Sequence, residues 1–449
     1  MKGPPFDGEL TTDERRRAEA GRDFGGLVAR LPRAVLYPRS TRDVVRAIDF
    51  AKQQGIRVAA RGQGHCTRGQ AQVEDGLVID TRWLDQIEVG SGWAAVGAGC
   101  LWSTLLRHTL ETGQTPPTLT DYLGLSVGGT LSVGGVGGQS FRFGMQTDNV
   151  EALTVVTGAG ELLECSRDEH ADLFHGCRGG LGQFGIIVAA RIKLQPAPKR
   201  VAVYQLEYPD AESFLTDQET HLVDGRFDYV LGSVLPRASG WGFVVEVVKY
   251  FDSPSDFDER RLVSGLACQP SSVARREQDF FAYANRLEEV VEQMKGSATV
   301  SPFHPWMDLF VGARSIRELL DFALQEFRPA QLTDGYVMTY PLVRGVSDTP
   351  FLGLPDEAHC YLFDVLPHMS GDDQAGLATF ASSCRRVFQR ACELGASVYP
   401  IGYPVGEMGE GHWRRQLGAS WDAMVTAKAK FDPERILAPE PRVFPLAAQ

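Results

Sequence analysis

Apolar and polar positions alternate in short bursts along the first part of the chain, so that residues 35–194 read as strands and helices in succession. From Thr41 to Gln54 the apolar residues Val44, Val45, Ile48 and Ala51 fall on one face behind a Ser40/Thr41 cap, which predicts a helix. Ile56-Arg57-Val58-Ala59-Ala60 alternates like a short half-buried strand, and Gly76-Leu77-Val78-Ile79-Asp80 reads as the next. Leu153-Thr154-Val155-Val156 and Glu161-Leu162-Leu163-Glu164 are strand-like and flank Gly158-Ala159-Gly160, a hairpin turn. A helix is expected over 102–112. The pattern changes at Pro196-Ala197-Pro198, where a domain boundary is expected. Beyond it, Tyr204-Gln205-Leu206-Glu207 and Phe243-Val244-Val245-Glu246-Val247-Val248 look like sheet strands, and 280–295 and 316–327 like amphipathic helices. A chain of 449 residues, 43% hydrophobic, can bury two cores.

Two glycine-rich stretches carry the chemistry. Arg61-Gly62-Gln63-Gly64-His65-Cys66 follows the first strand, and backbone N–H groups in such a turn can converge on a pyrophosphate. A plain hairpin with a surface histidine would read the same way. The second stretch runs Asp121-Tyr122-Leu123-Gly124-Leu125-Ser126-Val127-Gly128-Gly129-Thr130-Leu131-Ser132-Val133-Gly134-Gly135-Val136-Gly137-Gly138. Glycine at this density is too flexible for an ordinary helix interior and points to backbone packed on a flat ligand. Leu125, Val127, Leu131, Val133 and Val136 supply too much apolar surface for a linker. No Gly-Lys-Ser or Gly-Lys-Thr step is present, and Gly135-Val136-Gly137 lacks the third glycine of the dinucleotide fingerprint.

These segments occur in an order and spacing that resemble a cytokinin dehydrogenase-type flavoprotein, of the larger family that includes vanillyl-alcohol oxidase and the berberine-bridge enzymes. The likeness runs through Arg61 to Gln70, Thr120-Asp121-Tyr122 to Arg142-Phe143-Gly144, and Gly179-Gly180-Leu181-Gly182-Gln183-Phe184-Gly185-Ile186-Ile187. It resumes at His304-Pro305-Trp306, at Trp413 to Trp421, and at Phe431-Asp432-Pro433-Glu434-Arg435-Ile436-Leu437-Ala438-Pro439. The resemblance implies an α+β, two-domain PCMH-type FAD-binding fold. Residues 1–197 and 403–449 would form a discontinuous FAD-binding domain, and 198–402 a substrate-binding domain of antiparallel sheet with helices.

It further implies FAD joined covalently through His65, with Ala60, Gly62, Gln63, Gly64, Cys66 and Gln70 around the pyrophosphate. Asp121, Ser126, Ser132, Val136, Ile187 and Tyr403 match further flavin-contacting positions. In such a protein a hydride passes to the flavin from a carbon next to nitrogen or oxygen, and a quinone-like acceptor or O2 reoxidises the cofactor. Asp121 would accept a hydrogen bond from a substrate amine or take its proton, although an aspartate there also suits a turn. Trp306 would line the substrate cavity, where the alternative is a core tryptophan.

Three positions depart from the family. Plant members carry glutamate in Tyr-Val-Glu-Gly, where Asp228-Tyr229-Val230-Leu231-Gly232 places Leu231 in the substrate pocket, and this leaves open a bacterial secondary-metabolite oxidase acting on a non-purine ring or alcohol. The C-terminal Pro-Gly-Gln is here Pro439-Glu440-Pro441, and Cys66 follows the attachment histidine in place of serine. The second, cysteine link of berberine-bridge relatives aligns with Tyr122, so a single attachment is expected. A flavin-fold binding protein without turnover is the remaining alternative, against which His65 and Asp121 both argue.

A net charge of −12 without a basic stripe argues against a nucleic-acid partner. Arg15-Arg16-Arg17 reads as a solvated helix face. The polar N terminus and the lack of a long apolar run predict a cytoplasmic protein, monomeric or homodimeric, with no membrane association, and the composition points to a bacterial source. The eight cysteines show no paired metal spacing; His170, His175 and Cys177 straddle segments with a structural role, and no metal is expected.

Overall fold

The chain, as a computed structural model, is described over residues 3–268, 273–295, 302–332, 335–403 and 408–444. Helix Thr41–Gln54 starts where Ser40 Oγ accepts from the Asp43 N–H and stops at left-handed Gly55. Its apolar face packs on a four-stranded sheet in the order Glu9–Thr11, Ala34–Tyr37, Leu77–Asp80, Val58–Arg61, of which the last three run parallel. Leu77–Asp80 is buried along its whole length between parallel neighbours, so its apolar run is continuous. The neighbouring strand begins at Val58, two residues later than expected, because Ile56 N–H still bonds Ala51 O as the chain leaves the helix.

A second, antiparallel sheet follows in the order Ile87–Gly90, Trp93–Gly97, Gly185–Lys193, Val150–Thr157, Leu162–Ser166. The last two strands form the expected hairpin. Against expectation, the glycine-rich segment contains a short helix, Val127–Leu131. Tertiary contacts override its poor propensity: Val127 and Gly128 donate to Cys100 O and Ala98 O at 2.9 and 2.8 Å, which satisfies the free N–H groups of the helix start.

The third sheet has eight antiparallel strands: Ala274–Asp279, Arg200–Tyr208, Gly240–Phe251, Tyr229–Arg237, Tyr336–Val343, His359–Leu366, Met307–Gly312 and Ser397–Val398. Helices Ala211–Asp224, Ile316–Glu326 and Gln374–Glu393 cover one face, packing Phe214, Leu319 and Val387 on Val230, Val245 and Phe363. Strand alternation turns Tyr229, Met338, Tyr340 and Leu362 to the opposite face, which joins the core of the second sheet.

The single helix expected over 280–295 is two, Phe280–Ala284 and Glu288–Met294. Arg286, in the break, is turned inward. The chain then returns to its beginning: Ala438 N–H bonds Val58 O at 2.9 Å, and Val58 N–H bonds Ile436 O at 2.8 Å. Among the described residues no helix is long and apolar enough to cross a membrane.

Candidate active site

A cavity of about 440 Å³ lies between the 61–66 turn, the glycine-rich segment and the open face of the large sheet. Ala60, Gly62, Gln63, Gly64, His65, Cys66 and Gln70 form one wall, Asp121, Ser126, Ser132 and Val136 another, with Ile187 and Trp306 also lining it. Two expected residues stand elsewhere. Tyr403 is buried behind the turn, where its carbonyl accepts from Arg68 Nε. Leu231 is not among the lining residues; it packs in the sheet core directly across from Glu246. Leu231 is on the cavity-facing side of the sheet, on the strand next to the one whose Tyr336, Met338 and Tyr340 line the cavity.

The turn is tied down from behind. Gln70 Nε2 donates to the carbonyls of Pro400 and Ile401, both at 3.0 Å, and Asp23 accepts the Gly69 N–H at 2.6 Å. Burial pushes the Asp23 carboxyl up to about 6. A Cβ on Gly62 would lie 2.0 Å from Ser126 Oγ, so only glycine lets the two walls approach this closely. Ser126 Oγ is buried without a hydrogen-bond partner, and Ser126 lines the cavity. Bare backbone, an unsatisfied hydroxyl and long apolar walls fit a flat, phosphorylated cofactor such as FAD.

His65 sits in an aromatic cage, with ring centroids 4.1 Å from Phe24, 5.0 Å from Tyr122 and 5.7 Å from Trp306. Burial, helped by the neighbouring His304, lowers its pKa to about 3, so the imidazole is neutral with a free lone pair. Burial and then Asp23 push the adjacent Cys66 thiol up to about 12, which suppresses thiolate chemistry.

Asp121 is the polar centre of the other end. Its Oδ1 accepts from Tyr229 O–H at 2.7 Å and from Arg286 Nη2 at 3.0 Å, and its Oδ2 accepts from Tyr340 O–H. Arg286 also donates to Tyr229 at 2.9 Å, stacks over Tyr283 at 4.2 Å, and lies 3.6 Å from Glu246, which accepts from Tyr283 at 2.9 Å. Sequence reasoning missed Tyr229, Tyr340, Arg286 and Glu246. Tyr229 and Glu246 carried a signal, as polar residues on the inward face of apolar strands. Arg286 carried none, since an arginine at the flank of an amphipathic helix reads as a solvated side chain.

The chain matches known proteins along most of its length. Residues 32–166 match a family described as FAD binding domain, and residues 236–444 match one described as cytokinin dehydrogenase 1, FAD and cytokinin binding. An uncharacterised oxidoreductase of the fasciation locus of Rhodococcoides fascians is 36% identical over 95% of this chain and 97% of its own. Cytokinin dehydrogenase 7 of Oryza sativa subsp. japonica is 33% identical over 97% of this chain and 91% of its own. In fold, the chain resembles 6-hydroxy-D-nicotine oxidase of Arthrobacter nicotinovorans, with a TM-score of 0.74, 20% identity and 96% of each chain covered.

Proposed function

The chain belongs to the cytokinin dehydrogenase-like family of FAD-dependent oxidoreductases acting on small molecules, and on that premise we propose that it oxidises a carbon bonded to an amine nitrogen, with Asp121 holding the amine N–H. The observation that carries this reading is the partial occupancy of Asp121. A carboxylate offers about four lone-pair positions. Tyr229, Arg286 and Tyr340 take three, and they leave one acceptor position on Oδ2 for a substrate donor. The guanidinium and phenols fix the carboxylate's orientation, so the substrate nitrogen, and the carbon next to it, is positioned by the same contact.

Bound FAD supplies the hydride acceptor. Its proposed cradle is the 61–66 turn with Ser126, Ser132, Val136 and Ile187, and its proposed covalent anchor is His65, whose neutral ring supplies the lone pair such a bond requires. Cys66, held protonated, is left out of the linkage. Reoxidation falls to a second substrate, quinone-like or O2. The case for a non-purine substrate depended on Leu231 facing the ligand; with that side chain outside the cavity lining, an N6-substituted adenine becomes the first compound to try.

The test is anaerobic mixing of the purified flavoprotein with N6-isopentenyladenine and with other secondary amines, following the loss of flavin absorbance. Bleaching by an amine supports the reading. Bleaching by alcohols alone would remove Asp121 from the role of amine acceptor.

A further inference from the structure

We propose that Asp308 and Asp364 form a second polar subsite in the cavity, one that binds a ring N–H or ammonium group of a rigid heteroaromatic amine at a distance from the nitrogen held by Asp121. The inference rests on the amine-oxidation reading above and assigns the far end of the same substrate.

The two aspartates face each other directly on the adjacent antiparallel strands Met307–Gly312 and His359–Leu366. Both line the cavity while only 2% and 4% exposed. Asp364 Oδ1 is buried without a hydrogen-bond partner, and so is the indole Nε1 of Trp306, which lines the same wall; Asp308 Oδ2, also unpaired, lies against the backbone of Gly402. Buried polar groups are normally completed by protein, water, an ion or a ligand, and these open on a cavity. The nearest guanidinium, Arg68, has Nε on Tyr403 O and Nη2 on Trp306 O, and among the described residues it forms no ion pair with either carboxylate.

Two carboxyls side by side in an apolar wall do not both ionise. Burial raises Asp308 to about 8, and burial together with Asp308 lifts Asp364 well above the usual carboxylate range. At neutral pH the pair therefore holds at least one proton across its facing oxygens. An N–H donor set against an unpaired oxygen completes it, whereas an apolar group leaves it unpaired.

Strand register sets the span. Met338 lies opposite Asp364, and Tyr340, which bonds Asp121, lies opposite Leu362. Asp364 is therefore a diagonal neighbour of Tyr340, roughly 7–8 Å away across the sheet surface. That separation is of the order of a flat bicyclic ring system, and Trp306 and Tyr336 line the cavity beside it.

The test is titration of the flavin-loaded protein with adenine and with 9-methyladenine, which carry no N6 substituent to oxidise, read as the shift of the flavin absorbance. The N–H compound should bind about tenfold or more tightly. In Asp364→Val and in Asp308→Leu, each checked for retained flavin, the ratio should collapse toward one. Equal affinities in the wild type overturn the inference even if neither variant folds, and so does the absence of a shift with either compound at millimolar concentration. A ratio that persists in a flavin-loaded variant overturns it as well. Flavin bleaching by secondary amines that lack a ring N–H reports separately on the amine-oxidation reading, so the two can fail independently.

Discussion

Changing Asp121 to Asn exchanges one acceptor oxygen for an NH2 group in a site already surrounded by donors. Either the amide turns its NH2 against Tyr340 or it meets Tyr229 and Arg286, and in both cases the position open to a substrate N–H is lost or misplaced. Asp121→Asn is expected to slow substrate-driven flavin reduction by about a hundredfold or more, the usual scale for a positioned acid or base, with flavin content unchanged. Stopped-flow reduction under anaerobic conditions measures it, and an unimpaired rate would return Asp121 to a structural turn role. At the opposite end, the neutral, caged His65 leads to a simpler expectation. Wild-type protein should retain yellow colour in the pellet after acid precipitation and His65→Ala should release it; flavin that washes out of the wild type shows that the association is not covalent.

The elements that position these side chains differ in how clearly the sequence announced them. Helix Thr41–Gln54 and the hairpin of Val150–Thr157 with Leu162–Ser166 were legible because local periodicity and turn chemistry agree with the fold around them. The glycine-rich turn and segment were legible as backbone facing a cavity, and with them much of the cavity wall. The break between Phe280–Ala284 and Glu288–Met294 was not, since it coincides with tertiary bonds that local sequence does not announce, those of Arg286 to Asp121 and Tyr229. Tyr229 needs a neighbour of its own, because a Cβ on Gly138 would lie 2.4 Å from its ring. Leu231 was misplaced because adjacency in sequence says nothing of which strand borders the cavity. If the break exists to deliver a guanidinium, Arg286→Met, which keeps much of the stem, should cut the reduction rate by roughly ten- to a hundredfold, comparable to losing one charged hydrogen bond. Arg286→Lys should recover part of it, because a lysine can still reach the carboxylate as a point charge. An Arg286→Met enzyme with a wild-type rate would make the break a packing feature only.

At the scale of the whole molecule, the wall of the cofactor cavity depends on the chain's last described segment coming back to its first sheet. Leu437 and Ala438 both line the cavity, and they are held against Val58 by the turn that follows helix Trp421–Phe431. That turn is organised around Asp432, fully buried, which accepts the N–H groups of Ile436 and Leu437 at 3.1 and 3.0 Å and pairs with Lys428 at 2.7 Å. Lys428 in turn donates to Gln183 O at 2.8 Å, so one ammonium ties together the C-terminal segment and the loop before strand Gly185–Lys193. Removing one member of a buried pair strands the other charge, at a cost of about 3–5 kcal/mol. Lys428→Met should therefore lower the unfolding free energy by about that amount in urea titrations and reduce flavin content as Leu437 and Ala438 lose their anchor. Lys430, two residues on, pairs with Asp172 at the surface with 54% of its side chain exposed. Lys430→Met should cost less than about 1 kcal/mol and leave flavin content alone. Equal losses from the two substitutions would show that Lys428 contributes no more than a surface charge, and that the return of the chain is secured by packing instead.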